Sequence, residues 1–140
     1  MNLIIINGPN LNLLSKREPE IYGTMPFNDY LSLLQSRYQS LTIDHFQSNV
    51  EGEIINKLHD CGFGNYNGII LNAGGYTHTS VAIADAIAAI QTPVVEVHIS
   101  NIAARENYRH TSLIAGNCLG SIAGFGLASY QLAVDSFLND

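Results

Sequence analysis

Apolar positions in this chain fall into short unbroken runs separated by stretches with helical spacing. Leu3–Ile6 is a buried-strand run closed by Gly8-Pro9. Pro26 can occupy the first turn of a helix, and Phe27, Tyr30, Leu31, Leu34 and Leu41 recur behind it at helical intervals. Leu41–Gln47 reads as a second strand. Ser48-Asn49-Val50-Glu51 has the form of a capping box leading into a helix with Val50, Ile54, Ile55 and Leu58 on one face, which Gly62 and Gly64 stop. Gly68–Asn72 (GIILN) is a third strand, and a polar turn from Ala73 to Ser80 leads to a helix over Val81–Ile90. Val94–Ser100 makes a fourth strand and Gly120–Ala123 a fifth. A short helical piece lies near Ala103–Tyr108, and a closing helix spans Leu127–Phe137. Strand and helix alternate five times over residues 1–140 without a linker or repeat. That pattern predicts one domain of the α/β class with a flavodoxin-like three-layer fold and a five-stranded parallel sheet, order 2-1-3-4-5.

The order 2-1-3-4-5 puts the carboxyl ends of strands one, three and four around one switch-point crevice, where open α/β sheets bind ligands. The segment Asn7–Gly23, NGPNLNLLSKREPEIYG, leaves strand one there and crowds Asn10, Asn12, Lys16, Arg17, Glu18, Glu20 and Tyr22 into a few positions. On strand four, alternation points Glu96, His98 and Ser100 one way and Val95, Val97 and Ile99 the other. Three polar side chains in register on a buried strand are expensive unless partnered or functional. A carboxylate beside an imidazole fixes its tautomer and favours its protonated form, which suits His98 as a general acid. At the end of strand three, Asn72 precedes Gly74-Gly75, whose backbone can approach a ligand, and unpaired N–H groups at the following helix start favour an anionic group. His78 lies in the same turn. Asp85 stands among alanines and isoleucines, either an ordinary polar-face residue or part of a helix packed on another subunit. Tyrosine ordinarily ionises near pH 10, so a phenolate at pH 7 costs about 4 kcal/mol. Arg17 could offset much of that for Tyr22 in a water-poor cleft; equally, Tyr22 could simply anchor the loop.

Composition narrows the choice. Hydrophobic residues make up 46% of the 140 and charged residues only 13%, sparse for an isolated monomer and consistent with burial in an oligomer. The net charge of −6, with six Lys and Arg in total and none in a run, argues against nucleic acid. No stretch reaches the length of a membrane span, and the N-terminus begins with a strand rather than a signal peptide, so a cytoplasmic protein is expected. Cys61 and Cys118 read as buried free thiols, and the five histidines lack metal-ligand spacing; His45 and His59 have no polar cluster in sequence. A flavin-binding electron carrier would share the fold. Against it, the first loop lacks a Ser/Thr-rich phosphate cradle and the chain has no Trp to stack on a flavin.

Six segments, NGPNLNLL, REPEIYG, ILNAGGYTHTS, VEVHISNI, ARENYRHTS and GFGLASYQLA, together resemble type II 3-dehydroquinate dehydratases (type II dehydroquinases), in the same order and spacing. The resemblance implies a homo-dodecamer, a tetramer of trimers. It also implies reversible elimination of water from 3-dehydroquinate to give 3-dehydroshikimate through an enolate in the shikimate pathway, with no cofactor, metal or Schiff base. By the same resemblance Tyr22 removes the proton beside the ketone and Arg17 keeps it ionised, a water held at Asn10 assists the enolate, and His98, oriented by Glu96, protonates the departing hydroxyl. Asn72, Ser100 and the Ile99 backbone N–H would hold the substrate carboxylate, His78 and Arg109 the ring hydroxyls, and Asp85 would reach in from a neighbouring subunit. The chain departs from the family where Ser15-Lys16 replaces the usual Gly-Thr. The lost glycine should stiffen the loop, and the extra cation could assist Arg17 or compete with it.

Overall fold

A computed structural model describes residues 1–139. Five parallel strands form one sheet in the order β2-β1-β3-β4-β5, as expected: β1 Asn2–Asn7, β2 Thr42–Gln47, β3 Gly68–Asn72, β4 Val94–His98 and β5 Gly120–Ala123. The helices are α1 Pro19–Tyr22, α2 Phe27–Arg37, α3 Glu51–Cys61, α4 Val81–Ala89 and α5 Ala128–Leu138.

Alternation along the strands divides the core in two. Leu3 and Ile5 of β1, Ile70 of β3 and Val95 and Val97 of β4 face Phe27 and Leu34 of α2 and Tyr130, Ala133, Val134 and Phe137 of α5. Ile4, Ile6, Ile69, Leu71 and Val94 face Ile54 and Leu58 of α3 and Ile83, Ala86 and Ile87 of α4. Strands β1 and β3 are thus apolar on both sides, which is why their sequences are runs rather than alternations. Each fully buried Ile or Leu contributes about 1.5–3 kcal/mol, so the paired cores hold the strand ends in fixed relation.

Local expectations differ in four places. Helix α2 ends at Arg37, so Leu41 lies outside it, and β2 begins at Thr42. The capping box does not form: Val50 occupies the cap position, while Ser48 Oγ accepts from Val50 N–H and donates to Glu53 rather than pairing with Glu51. The connection from β4 to β5 contains three separate 3-10 turns, Ile102–Ala104, Asn107–Arg109 and Ala115–Asn117, in place of a single helical piece. Cys118 is only half-buried, although burial still pushes its thiol up to about 12.

The β1 and β3 loops approach until side chains cannot fit between them. A Cβ on Gly8 would sit 2.5 Å from the Ala73 carbonyl oxygen, and Gly74, at φ 60°, lies against Pro9. Gly8 N–H donates to the Asn72 carbonyl at 2.7 Å.

Candidate active site

The cleft opens at the carboxyl ends of β1, β3 and β4, in the predicted crevice. It is lined by Asn10, Arg17, Tyr22, Asn72, His78, His98, Ile99, Ser100 and Arg109, with Arg105 between the last two. The β1 loop supplies Tyr22 from the end of α1, a single turn begun by Pro19, which sets its own φ and lacks the N–H a first turn leaves unpaired. The Tyr22 ring is buried at 7% exposure, and its hydroxyl remains in the cleft between two guanidinium groups. Arg17 Nη2 donates to Tyr22 Oη at 3.1 Å and Arg105 Nη1 at 2.7 Å. Arg105 Nη1 also donates to Ser100 Oγ at 3.3 Å.

On β4 the expected register holds. Glu96 and His98 share a side of the strand, and His98 Nε2 donates to Glu96 Oε2 at 2.8 Å. Ser112 Oγ donates to Oε2 and Ser121 Oγ to Oε1, each at 2.7 Å. Burial of Glu96 pushes its carboxyl up, but the hydrogen bonds from His98, Ser121 and Ser112 outweigh this and hold it below the usual carboxylate range. The magnitudes agree. Burying a carboxylate costs several kcal/mol, and three hydrogen bonds to a charged acceptor return about 1.5–3 kcal/mol each. Glu96 is therefore an anion. It occupies Nε2 of His98 and leaves Nδ1 for a substrate. His78 stacks beside His98 with ring centroids 6.2 Å apart and is fixed by a 2.7 Å contact between its Nδ1 and the Thr111 carbonyl.

Along the cleft wall, Asn72 is held between the Gly74 N–H on its Oδ1 at 3.1 Å and the Tyr130 hydroxyl, to which its Nδ2 donates at 2.9 Å. Arg109 Nε donates to Glu106 at 2.8 Å and faces the cleft beyond them. Among the described residues no cluster of His, Cys, Asp and Glu has the geometry to hold a metal ion. Among the described residues no helix is long and apolar enough to cross a membrane.

The family model of class II dehydroquinases matches residues 1–138. The chain belongs to that family. It is 51% identical over 139 residues to a 3-dehydroquinate dehydratase of an Exiguobacterium species, covering 99% of this chain and 94% of that one. It is 52% identical over 134 residues to one of Caldicellulosiruptor bescii, covering 94% and 92%. The crystal structure of the type II dehydroquinase from Butyrivibrio crossotus superposes with a TM-score of 0.95 at 40% identity, covering 99% of this chain and 98% of that one.

Within this class II dehydroquinase chain, ten of the eleven residues singled out in the sequence converge: nine line the cleft and Glu96 stands directly behind His98. Asp85 does not. It lies on the exposed face of α4, away from the cleft of its own chain. Arg105, within the ARENYRHTS segment, escaped the sequence reading. Its signal was an arginine five residues past Ser100, in the loop leaving the strand that carries the acid pair. Lys16 is exposed and absent from the cleft lining, so the second cation at Tyr22 is Arg105. Ser15, standing in the usual glycine position, adopts φ 79°, a conformation glycine tolerates and serine does not favour.

Proposed function

We propose that this chain is a 3-dehydroquinate dehydratase that eliminates water reversibly, without a cofactor, through an enolate. The observation carrying the reading is the pairing in one cleft of a tyrosine hydroxyl clamped by two guanidinium groups and a histidine backed by a buried carboxylate. The first arrangement sets two cationic donors on an oxygen that can act as base, and the second sets a carboxylate behind an imidazole that can act as acid. Tyr22 takes the proton from the carbon beside the ketone, and the electron pair moves onto the carbonyl oxygen as an enolate. A water held at Asn10 stabilises that oxygen, since hydrogen bonds at the point of developing charge lower the barrier most. Collapse of the enolate expels the hydroxyl, which leaves as water with the proton from His98 Nδ1. Glu96 keeps the imidazolium oriented and does not itself transfer a proton.

Asn72, Ser100 and the Ile99 backbone N–H take the substrate carboxylate, and His78 and Arg109 take ring hydroxyls. Arg105 belongs with Arg17 as a phenolate partner. The exposed Asp85 fits a residue donated to a neighbouring cleft in a homo-dodecamer built as a tetramer of trimers, acting in the cytoplasm within the shikimate pathway. The test is the enone absorbance that grows when purified protein meets 3-dehydroquinate. A rise that survives borohydride and is lost in Tyr22→Phe supports the reading. No rise with the native chain refutes the activity, and full activity in a dilution-stable monomer refutes the donated Asp85.

A further inference from the structure

A chain of two buried amides and a buried hydroxyl runs from the cleft sideways, past the carboxyl end of β1 to His45 of β2, and the elimination just proposed does not use it. Asn7 and Asn72 are register partners at the ends of adjacent strands β1 and β3. Both are buried, at 0% and 3% exposure. Between them stands Tyr130 of α5, 0% exposed. Its hydroxyl donates to Asn7 Oδ1 at 2.8 Å and accepts from Asn72 Nδ2 at 2.9 Å. Asn7 Nδ2 in turn lies 3.2 Å from His45 Nε2, which is held against Phe27 with ring centroids 4.6 Å apart.

The bonds permit one direction only. Gly74 N–H needs an oxygen from Asn72, which assigns Oδ1 to that side and turns Nδ2 toward Tyr130. The tyrosine oxygen, accepting there, has its hydrogen left for Asn7 Oδ1. Asn7 Nδ2 then donates to the unprotonated Nε2 of His45. Burial pushes the Tyr130 hydroxyl up, so it keeps its proton, and pushes His45 down, toward the neutral form that can accept. Every link is thereby fixed, and one Nδ2 hydrogen of Asn72 remains beside the cleft, uncommitted among the described residues.

We propose that Tyr130 is a positioning residue: through Asn7 and His45 it locks the Asn72 amide so that its free N–H faces the substrate carboxylate. The proposal rests on the dehydratase reading above. An asparagine amide is close to symmetric in shape, so packing alone cannot choose between its two orientations. The flipped orientation would offer the carboxylate an oxygen, a repulsive contact, in place of a donor. The Gly74 N–H makes that choice, and the Tyr130 hydroxyl holds the amide in it by accepting from Nδ2 in a buried bond that is not exchanged for water.

Kinetics with 3-dehydroquinate test it. Tyr130→Phe keeps the ring and removes the hydroxyl, and it should raise KM about tenfold while leaving the pH profile of kcat, set by groups across the cleft, unmoved. In an Asn72→Ala background the same substitution should change KM less than twofold, because the group through which it acts is gone. An unchanged KM in Tyr130→Phe, or an equal rise in both backgrounds, overturns the proposal. Should Tyr130→Phe fail to fold, Asn7→Ala breaks the next link and must give the same dependence on Asn72. A native chain without activity would overturn the dehydratase reading instead. The wire is then judged from the Tyr130→Phe crystal structure, where an Asn72 amide unmoved between Gly74 and residue 130 counts against it.

Discussion

Replacing Arg105 by methionine removes the shorter of the two charged hydrogen bonds to Tyr22 while leaving comparable apolar bulk. Arg105 Nη1 stands 2.7 Å from the hydroxyl and its side chain is 11% exposed, against 3.1 Å and 27% for Arg17. A hydrogen bond to a charged partner contributes about 1.5–3 kcal/mol. A full phenolate charge about 4 Å from the guanidinium centre at an effective dielectric of about 20 gains about 4 kcal/mol. A neutral phenol would gain little of this, so the loss falls on forming the phenolate that takes the proton. At 1.36 kcal/mol per decade, kcat should fall about 10²- to 10³-fold with a smaller change in KM. Arg105→Lys should lie between, because an ammonium keeps the charge but gives up the approaches of Nη2 to Glu18 and of Nε to Glu106 that place the guanidinium. Combined with Arg17→Met the losses should be less than multiplicative, since both act on one oxygen. The assay is initial-rate enone absorbance under saturating and limiting 3-dehydroquinate, with a thermal melt to confirm folding. Arg105→Met within threefold of the native kcat refutes the reasoning, and Tyr22 would then depend on Arg17 alone.

Two further predictions follow from strain and charge. Ser15→Gly removes an L-residue from φ 79°; the relief of about 1 kcal/mol is partly offset by the greater unfolded freedom of glycine. A rise of about 2 °C in the melting temperature is expected, and a fall would refute the strain. Glu96 has a folded-state pKa below its ordinary 4.5, so its ionised form adds stability that is fully present above pH 4.5 and is lost as the pH falls through the folded value. Glu96→Gln should therefore flatten the decline in denaturant midpoint between pH 5 and acid. An unchanged slope would show that the carboxylate is not preferentially ionised in the fold.

What the sequence disclosed followed its periodicities. Runs such as Leu3–Ile6 and GIILN could only be strands covered on both faces, and their alternation with helices left few topologies. The two-residue repeat alone placed Glu96 and His98 together. Periodicity is silent in irregular segments. Pro19–Tyr22 is four residues, too short for a helical pattern, and Arg105 sits in a connection of 3-10 turns where no face can be assigned. Ser48 misled because a capping box depends on a one-residue register that Val50 takes instead. The Tyr130–Asn7 bond joins residues 123 apart. Nothing local marks either as polar partners, and His45 looked isolated only because Asn7 belongs to a different strand.

The cleft divides its chemistry between a strand packed on both faces and a strained loop. His98 and Glu96 stand on a central strand packed on both faces, with Ser112 and Ser121 fixing the carboxylate. Tyr22 arrives on a loop that contains Asn10, Ser15 and Glu18 in left-handed conformations, each of which raises the energy of the ordered loop. Strain of this kind persists only where tertiary contacts compensate for it. Across the cleft those contacts run from Arg105, which joins Tyr22 over 83 positions of sequence and approaches Glu18 at 3.8 Å. The residue that stabilises the base is thus also the one that holds the base's loop to the acid's side of the cleft. Two guanidinium groups bind a phenolate more tightly than a phenol, so under the proposed mechanism the charge that makes Tyr22 a base also draws its loop toward Arg105.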